Sequence, residues 1–251
     1  MSYFNYSGCQ IYYQVHGQGE SVLLLHGNTS SSKLFQDIFP LYSGFQVILM
    51  DFLGYGQSDR IEEFPTELWK DEARQVCALL EKLKLKGVHL VGTSGGAWVA
   101  LNVALLVPEK IKSVTADSFD GRTLHAGFKE ELMAERTAAM ETKQAAEFYE
   151  WCIGADWQEV VEKDTNSMIR LIYLDEPLFV RSVKELQVPV LLMGSKKDQM
   201  VRQNLEEEYL AMIQEIPNAR IHLFNEGSHP SIGTNAIGTS EVINAFILEN
   251  S

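Results

Sequence analysis

Cysteines and basic residues are both scarce in this chain of 251 residues. Its three cysteines, Cys9, Cys77 and Cys152, lie far apart in the sequence. This excludes a disulfide scaffold and is typical of free thiols in a reducing compartment. The 34 acidic residues outnumber the 21 Lys and Arg residues, so the net charge is −13. A surface with this charge repels nucleic-acid phosphates and anionic lipid headgroups, so we expect neither nucleic acid nor a membrane as a partner.

Long apolar runs and cofactor motifs are missing as well. The longest mainly apolar stretch, residues 97–107, is about half as long as the ~20 residues of a transmembrane helix. The first residues do not combine a basic stretch with an apolar one, so we expect no secretory signal and a cytoplasmic location. The chain has no P-loop, no dinucleotide fingerprint, no H-E-x-x-H and no paired C-x-x-C motif. We therefore expect no cofactor and no bound metal.

Apolar residues make up 45% of the chain, which is enough for one large core with an inserted subdomain. Short apolar runs, typical of strands buried on both faces, alternate with helical patterns such as Trp69, Ala73 and Val76. This alternation predicts an α/β fold with a mostly parallel central sheet flanked by helices, the last of them after Ser240. The predicted strands are 11–15, 22–25, 47–50, 88–91, 111–116, 190–193 and 221–224.

Residues 121–187 interrupt this alternation. They contain no convincing strand pattern, and helix-forming residues dominate 128–151. A segment of this length cannot be a bare loop in a compact domain. We expect it to form a helical lid, or cap, inserted into a core made of residues 1–120 and 188–251. Its aromatic side chains suggest a ligand with an apolar part. These seven residues are Phe128, Phe148, Tyr149, Trp151, Trp157, Tyr173 and Phe179.

The pentapeptide Gly92–Gly96 carries the strongest chemical signal. It has the pattern G-x-S-x-G, follows the predicted strand 88–91 and precedes an apolar helical stretch. In this context the pattern is typical of a nucleophile elbow, where a strained turn raises the serine hydroxyl above the sheet beside a helix N-terminus. The alternative is a serine that caps a helix in a glycine-rich turn. We expect Ser94 to be a catalytic nucleophile.

A serine hydroxyl is a weak nucleophile unless a base takes its proton. His229 follows the last predicted strand and precedes the last predicted helix, so it lies at the same sheet edge as Ser94. We expect it to be the general base. The other histidines lie within predicted strands, in the first loop or at the start of the inserted segment: His16, His26, His89, His125 and His222.

The base requires an acidic partner that holds its tautomer and stabilises the imidazolium. Asp198 follows the strand 190–193, and the resulting chain order Ser, Asp, His is the one expected for an elbow on an α/β sheet. Asp117 and Asp120, which follow the preceding strand, are the alternatives. A further alternative is that Asp198 only caps a turn.

Acyl transfer passes through a tetrahedral oxyanion that requires preformed N–H donors. The first donor is expected to be the main-chain N–H of Gly95, the residue after the nucleophile. The second is expected from the loop after the strand 22–25, at Asn28. Because both donors belong to the main chain, the Asn28 side chain is not required for this role.

Taken together, these motifs resemble the α/β-hydrolase fold superfamily, in particular its lidded serine hydrolases, which include small esterases and carbon–carbon bond hydrolases. The resemblance covers residues 11–248 and is weakest across 121–187. The matching features are the H-G-x turn at 26–28, the glycine-rich D-x-x-G-x-G-x-S loop at 51–59, the nucleophile elbow at 92–96, and Asp198 and His229 as acid and base.

Two positions depart from the usual family pattern. Ser195 stands where the family usually has glycine before the acid, and Thr93 stands where a histidine or larger residue often precedes the nucleophile. Neither change removes a catalytic group. Ser94 itself separates this chain from relatives with an aspartate nucleophile, such as epoxide hydrolases and haloalkane dehalogenases.

The resemblance implies a serine hydrolase that cleaves a small carboxylic ester or related acyl compound through an acyl-enzyme, without a cofactor. Two alternatives stay open. One is hydrolysis of a carbon–carbon bond in a β-diketone-like compound, and the other is a non-catalytic ligand receptor on the same fold. The sequence predicts no particular acyl length or oligomeric state. Basic side chains that could hold a substrate carboxylate in the first alternative are Arg122, Arg136, Arg170 and Arg181.

Overall fold

The centre of the molecule is an eight-stranded sheet. It is seen in a computed structural model that describes residues 2–251. The strands are β1 (Ser2–Tyr6), β2 (Cys9–His16), β3 (Ser21–Leu25), β4 (Gln46–Met50), β5 (Val88–Thr93), β6 (Ile111–Asp117), β7 (Val190–Ser195) and β8 (Ala219–Phe224). Their order in the sheet is β1-β2-β4-β3-β5-β6-β7-β8. Strands β3 to β8 are parallel, whereas β2 runs antiparallel to its neighbours β1 and β4.

Helices cover both faces of this sheet and connect its parallel strands. The helices are α1 (Leu68–Leu83), α2 (Gly95–Leu106), α3 (Phe128–Glu141), α4 (Lys143–Cys152), α5 (Trp157–Tyr173), α6 (Leu205–Glu215), α7 (Ser231–Thr234) and α8 (Ala236–Glu249). Because parallel strands all end at the same edge, the loops that follow β3, β5, β6, β7 and β8 meet there. This edge is where the candidate site residues lie.

The apolar runs of the sequence form strands that are buried on both faces. In β3, Leu23 and Leu25 pack into the layer that contains α1 and α2, while Val22 and Leu24 pack into the layer that contains α8. Side chains alternate between the faces of a strand, so a run without polar residues is required where both faces are covered. Burying each such side chain stabilises the fold by roughly 1.5–3 kcal/mol.

Helix α2 is buried nearly all round, since every residue from Gly95 to Leu105 is buried. It packs against α1, β5 and β6. The longest apolar stretch of the sequence is therefore a core helix. Within residues 2–251, no helix is both long and apolar enough to cross a bilayer.

The predicted α/β fold with a mostly parallel sheet is confirmed, and each predicted strand is present. Three strands or α-helices outside residues 121–187 were not predicted: β1, α6 and the four-residue helix α7. β1 forms a hairpin with β2 through Ser7 and Gly8, which both have positive φ. α6 buries Leu205, Tyr209 and Met212 on one face, but its polar residues obscure this pattern in the sequence. The last helix begins four residues before Ser240, at Ala236.

Residues 121–187 contain three helices, α3, α4 and α5, and no strand. α3 packs against both α4 and α5, and α4 packs against the short 3₁₀ turn Ser32–Phe35 that follows β3. This segment is the part of the chain between β6 and β7. Its role as a lid stays a prediction.

We predict that His89 makes the stability of the fold dependent on pH. His89 lies fully buried in β5, and its Nδ1 is 2.7 Å from Ser113 Oγ. Burial lowers its pKa to about 4, against the weaker opposing effect of Glu20. Between pH 4 and 6.5 the unfolded chain binds a proton at His89 and the folded chain does not. The free energy of unfolding therefore decreases as the pH is lowered through this range. A shift of this size corresponds to a loss of about 3 kcal/mol.

The measurement is urea unfolding of the wild type and of His89→Gln at several pH values. The unfolding free energy of the wild type minus that of the variant should fall by about 3 kcal/mol as the pH falls from 6.5 to 4, because glutamine does not titrate. A difference that stays constant over this range would contradict the prediction.

Candidate active site

Ser94 occupies a strained turn between β5 and α2. Its backbone angles are φ 55° and ψ −126°, a region that non-glycine residues rarely adopt. The Ser94 N–H donates to the carbonyl oxygen of Asp117 at 2.8 Å, which holds the turn against β6. A Cβ on Gly92 would collide with the Gly96 carbonyl, and a Cβ on Gly96 would lie 2.6 Å from the carbonyl oxygen of His26. The absence of side chains at both glycines therefore permits the close approach of strand, helix and first loop.

Three predicted site residues form one hydrogen-bonded chain at the carboxyl edge of the sheet. Ser94 Oγ lies 3.0 Å from His229 Nε2, and His229 Nδ1 lies 2.9 Å from Asp198 Oδ2. Since a carboxylate only accepts, Nδ1 carries the proton and Nε2 accepts from the serine hydroxyl. The other Asp198 oxygen accepts from the Met200 N–H at 2.9 Å. The Asp198 side chain is fully buried, and that of His229 is 13% exposed.

Asp117, one of the two alternative acids, makes different contacts. It is fully buried and accepts from Thr93 Oγ1 at 2.8 Å, from the Ile232 N–H at 3.1 Å and from Ser231 Oγ. Burial raises its pKa, and these hydrogen bonds act in the opposite direction. Asp117 thus links Thr93, the residue before Ser94, to Ser231 and Ile232, which follow His229 closely.

Asp120, the other alternative, pairs with a different histidine. Its Oδ2 lies 2.6 Å from His125 Nδ1, and its Oδ1 accepts from the Arg202 N–H at 2.6 Å. His125 Nε2 in turn lies 3.0 Å from Glu131 Oε2. Asp198, and neither alternative, is the carboxylate at hydrogen-bond distance from His229.

The two departures from the family pattern have structural partners. The Thr93 hydroxyl donates to Asp117. Through this carboxylate, the turn that carries Ser94 is linked to the loop that carries His229. Ser195 Oγ accepts from Asn235 Nδ2 at 3.0 Å, which joins the end of β7 to the residue before α8. Both hydroxyls have a role in holding loops at this sheet edge.

The two predicted oxyanion donors belong to residues that touch each other. Gly95 is the first residue of α2, so its N–H has no acceptor in a preceding helical turn. A Cβ on Gly95 would collide with Asn28 Oδ1, so the Asn28 side chain packs directly against it. Asn28 Oδ1 accepts from Trp69 Nε1 at 2.9 Å, and Asn28 Nδ2 donates to Asp164 Oδ2 at 2.7 Å. Both polar atoms of the Asn28 side chain therefore have partners, and the role of its main-chain N–H stays a prediction.

His26 braces the loop that carries Asn28. It is fully buried, its Nδ1 lies 2.8 Å from the Gly27 carbonyl oxygen, and its Nε2 accepts from the Phe52 N–H at 3.1 Å. Burial lowers its pKa, which favours the neutral ring that this pair of contacts requires. The loops after β3 and β4 are joined by this ring.

Two cavities meet at Ser94 and His229. The smaller has a volume of about 130 Å³ and the larger about 500 Å³. Glu135 and Arg136 of α3 line both. The apolar side chains of the smaller cavity include Trp98, Phe119, Phe128, Leu132, Met168 and Val201. Those of the larger include Leu34, Ala145, Phe148, Tyr149, Met200 and Pro230.

Arg136 is the one member of the four predicted arginines that lines these cavities. Its Nη1 lies 2.9 Å from Glu135 Oε2, and its Nη2 lies 3.5 Å from Asp164 Oδ1. The other three form ion pairs elsewhere: Arg122 with Glu208 and Glu215, Arg170 with Glu63, and Arg181 with Glu185.

Sequence reasoning did not find Trp69, Glu135 or Asp164 as site residues. Trp69 was visible only as a position in a helical pattern and Asp164 only as part of residues 121–187, and their partner Asn28 is far away in the chain. The one available signal was a carboxylate on the otherwise apolar face of α5, where Asp164 falls between Val161 and Met168.

Comparisons with known proteins agree with this arrangement of elements. A family described as the alpha/beta hydrolase fold matches residues 20–167, more than half of the chain. The human protein named serine hydrolase BPHL is 26% identical over 236 residues, which cover 89% of this chain and 78% of that protein.

Two solved structures share the fold at low sequence identity. The meta-cleavage product hydrolase of Pseudomonas fluorescens IP01 has a TM-score of 0.79 at 20% identity and covers 100% of this chain and 98% of its own. The esterase of Exiguobacterium antarcticum has a TM-score of 0.74 at 20% identity and covers 96% of each chain.

We predict that Asp117→Asn weakens the fold at this sheet edge. The amide keeps one acceptor oxygen and turns two new donors toward the hydroxyls and N–H groups that Asp117 now accepts from. Because hydrogen bonds to a buried charge contribute about 1.5–3 kcal/mol each, we expect the free energy of unfolding to fall by about 2–4 kcal/mol. Urea denaturation measures this change.

Two variants of Thr93, which donates to Asp117, are controls for the loss of a single hydrogen bond. Thr93→Val removes one hydroxyl donor to the Asp117 carboxylate at similar size and should cost about 1.5–3 kcal/mol, whereas Thr93→Ser keeps the hydroxyl and should cost less. Equal stability of Asp117→Asn and the wild type would show that the carboxylate is not needed as an acceptor.

Proposed function

Because this chain belongs to the alpha/beta hydrolase fold family, we propose that it is a serine hydrolase that cleaves a small carboxylic ester or related acyl compound. The observation that carries this proposal is the hydrogen-bonded chain from Ser94 through His229 to Asp198, with distances of 3.0 and 2.9 Å. These distances lie within the range that proton transfer from a nucleophile to a general base requires. The names of the similar proteins, a serine hydrolase and an esterase among them, support it.

In the proposed reaction, Ser94 Oγ attacks the carbonyl carbon while its proton passes to His229 Nε2. The resulting imidazolium is stabilised by the buried Asp198 carboxylate. The tetrahedral oxyanion accepts hydrogen bonds from the N–H groups of Gly95 and Asn28. Its collapse breaks the ester bond, and the leaving alcohol takes the proton from His229. Water, activated by the same base, then hydrolyses the acyl-enzyme and regenerates Ser94.

The two cavities support an ester with two unequal parts. A small apolar group fits the cavity of about 130 Å³, whose walls include Trp98 and Phe119, and a larger group fits the cavity of about 500 Å³. We propose that residues 121–187 form the lid over this site, since α3 supplies a wall of both cavities and α4 a wall of the larger. The lid would set the size limit for each part.

Hydrolysis of a carbon–carbon bond is the second candidate, because Arg136 is a cationic side chain at the cavities. Its guanidinium, however, already faces the carboxylates of Glu135 and Asp164. A substrate carboxylate would have to compete with both, which favours the ester proposal. Product analysis with a panel of esters and a panel of β-diketones distinguishes the two reactions.

We predict that Ser94 reacts covalently with a fluorophosphonate probe. The activated serine should displace fluoride, and the Ser94→Ala variant should not be labelled, because it has no nucleophile at this position. Intact-mass spectrometry or in-gel fluorescence measures the labelling. A folded wild type that is not labelled would refute the serine hydrolase proposal and would support a receptor role.

We predict that Asp198→Asn lowers kcat by about 10⁴-fold, because the His229 ring loses the acceptor that holds its tautomer. The substrate is the ester of the panel with the highest turnover. Asp37→Asn, at an exposed position, removes the same charge and should retain wild-type activity. A larger loss of kcat in Asp120→Asn than in Asp198→Asn would mean that the acid has been assigned to the wrong residue.

A further inference from the structure

We propose that Asp164 is a positioning residue for the oxyanion hole and acts through the side chain of Asn28. Asp164 lies on α5, within residues 121–187, and is fully buried. Its Oδ2 accepts from Asn28 Nδ2 at 2.7 Å, across 136 residues of sequence. The inference rests on the proposed function, because the role of the Asn28 N–H in stabilising an oxyanion is part of that proposal.

The Asn28 side chain is held at both of its polar atoms. The indole Nε1 of Trp69 can only donate and lies 2.9 Å from Asn28 Oδ1, while the Asp164 carboxylate accepts from Nδ2. These two partners determine which way the amide points. The same side chain packs against Gly95, which carries the other N–H donor. These contacts therefore restrict movement of the Asn28 main chain relative to Gly95.

Asp164 also holds a second loop at the same place. The hydroxyl of Tyr55, in the glycine-rich loop after β4, donates to Asp164 Oδ2 at 2.5 Å. One carboxylate oxygen thus joins α5 to the loops after β3 and β4. The second carboxylate oxygen faces Arg136, so an amide that kept both hydrogen bonds would turn its NH₂ group, which only donates, toward the guanidinium.

The charge of Asp164 is balanced from another helix of the same segment. Arg136 Nη2, on α3, lies 3.5 Å from Asp164 Oδ1. Burial raises the pKa of Asp164, while Arg136, Tyr55 and Asn28 act in the opposite direction. Because Arg136 also lines both cavities, the contacts run from the cavity wall through Asp164 to the proposed oxyanion donor.

A residue that only stabilised the fold would change how much of the enzyme is folded, and not how fast each folded molecule turns over. A residue that positions the oxyanion donor acts on the transition state, so its loss lowers kcat and leaves KM nearly unchanged. The split between kcat and KM therefore distinguishes the two roles.

The test is a double-mutant cycle with Asp164→Asn and Asn28→Ala, assayed with the ester of highest turnover at a matched concentration of folded protein. Asp164→Asn should lower kcat by about tenfold to hundredfold, less than the roughly 10²–10³-fold for loss of a whole oxyanion donor, with KM within about twofold. In the Asn28→Ala background, where Asp164 has no side chain left to hold, the same change should lower kcat by less than about threefold.

Glu162→Gln is the matched control, because it removes one negative charge from the same helix at an exposed position. It should retain wild-type kcat and KM. Circular dichroism and thermal unfolding of each variant establish that it is folded under assay conditions. If Asp164→Asn does not fold, Tyr55→Phe, which removes one contact of the same network and lines neither cavity, should show the same fall of kcat at constant KM.

Two results would overturn the inference: a wild-type kcat in Asp164→Asn, or an equal loss of kcat with and without the Asn28 side chain. Either result can occur while the wild type hydrolyses esters and Ser94 reacts with the fluorophosphonate probe. The proposed function would then stand without this inference. A wild type that hydrolyses no ester and takes no fluorophosphonate would instead refute the proposed function, and this inference with it.

Discussion

The close packing of three main-chain segments around Ser94 is the constraint on which the rest of the site depends. The end of β5, the start of α2 and the loop after β3 approach each other so closely that Gly27, Gly92 and Gly96 cannot carry side chains. A Cβ on Gly27, for example, would lie 2.7 Å from Ser94 Cβ. This packing accompanies the positive φ of Ser94 and places the Asn28 side chain directly against Gly95. The geometry of the candidate site is thus a property of the main chain.

Two buried carboxylates hold the loops that surround this packed centre. Asp117 joins the elbow to the loop that carries His229, and Asp164 joins the loop that carries Asn28 to α5. Both accept several hydrogen bonds, which offsets the cost of taking a carboxylate out of water. They hold different loops, and neither is in the hydrogen-bonded chain of Ser94, His229 and Asp198.

Much of this arrangement could be predicted from the sequence, because the signals are local. Strands buried on both faces require continuous apolar runs, and the strained turn at Ser94 requires its two glycines, so a short window of sequence reports each. The contacts of Asp164 have no such signal. They join residues that are 136 and 109 positions apart, and a carboxylate on the apolar face of α5 does not reveal which loops it contacts. The choice among Asp117, Asp120 and Asp198 likewise depended on how loops fold at the sheet edge.

The position of Asp164 on α5 divides residues 121–187 into two parts. The amino-acid sequence of one part can change more freely than that of the other. α3 and α4 present side chains such as Leu132, Ala145 and Phe148 to the cavities. Changes there can alter the shape of the cavities while the hydrogen bonds around Ser94 persist. α5 has less freedom, because its buried face must keep a carboxylate within reach of two loops. During evolution, new specificities would therefore arise at cavity positions of α3 and α4 other than Arg136, with Asp164 retained as the anchor.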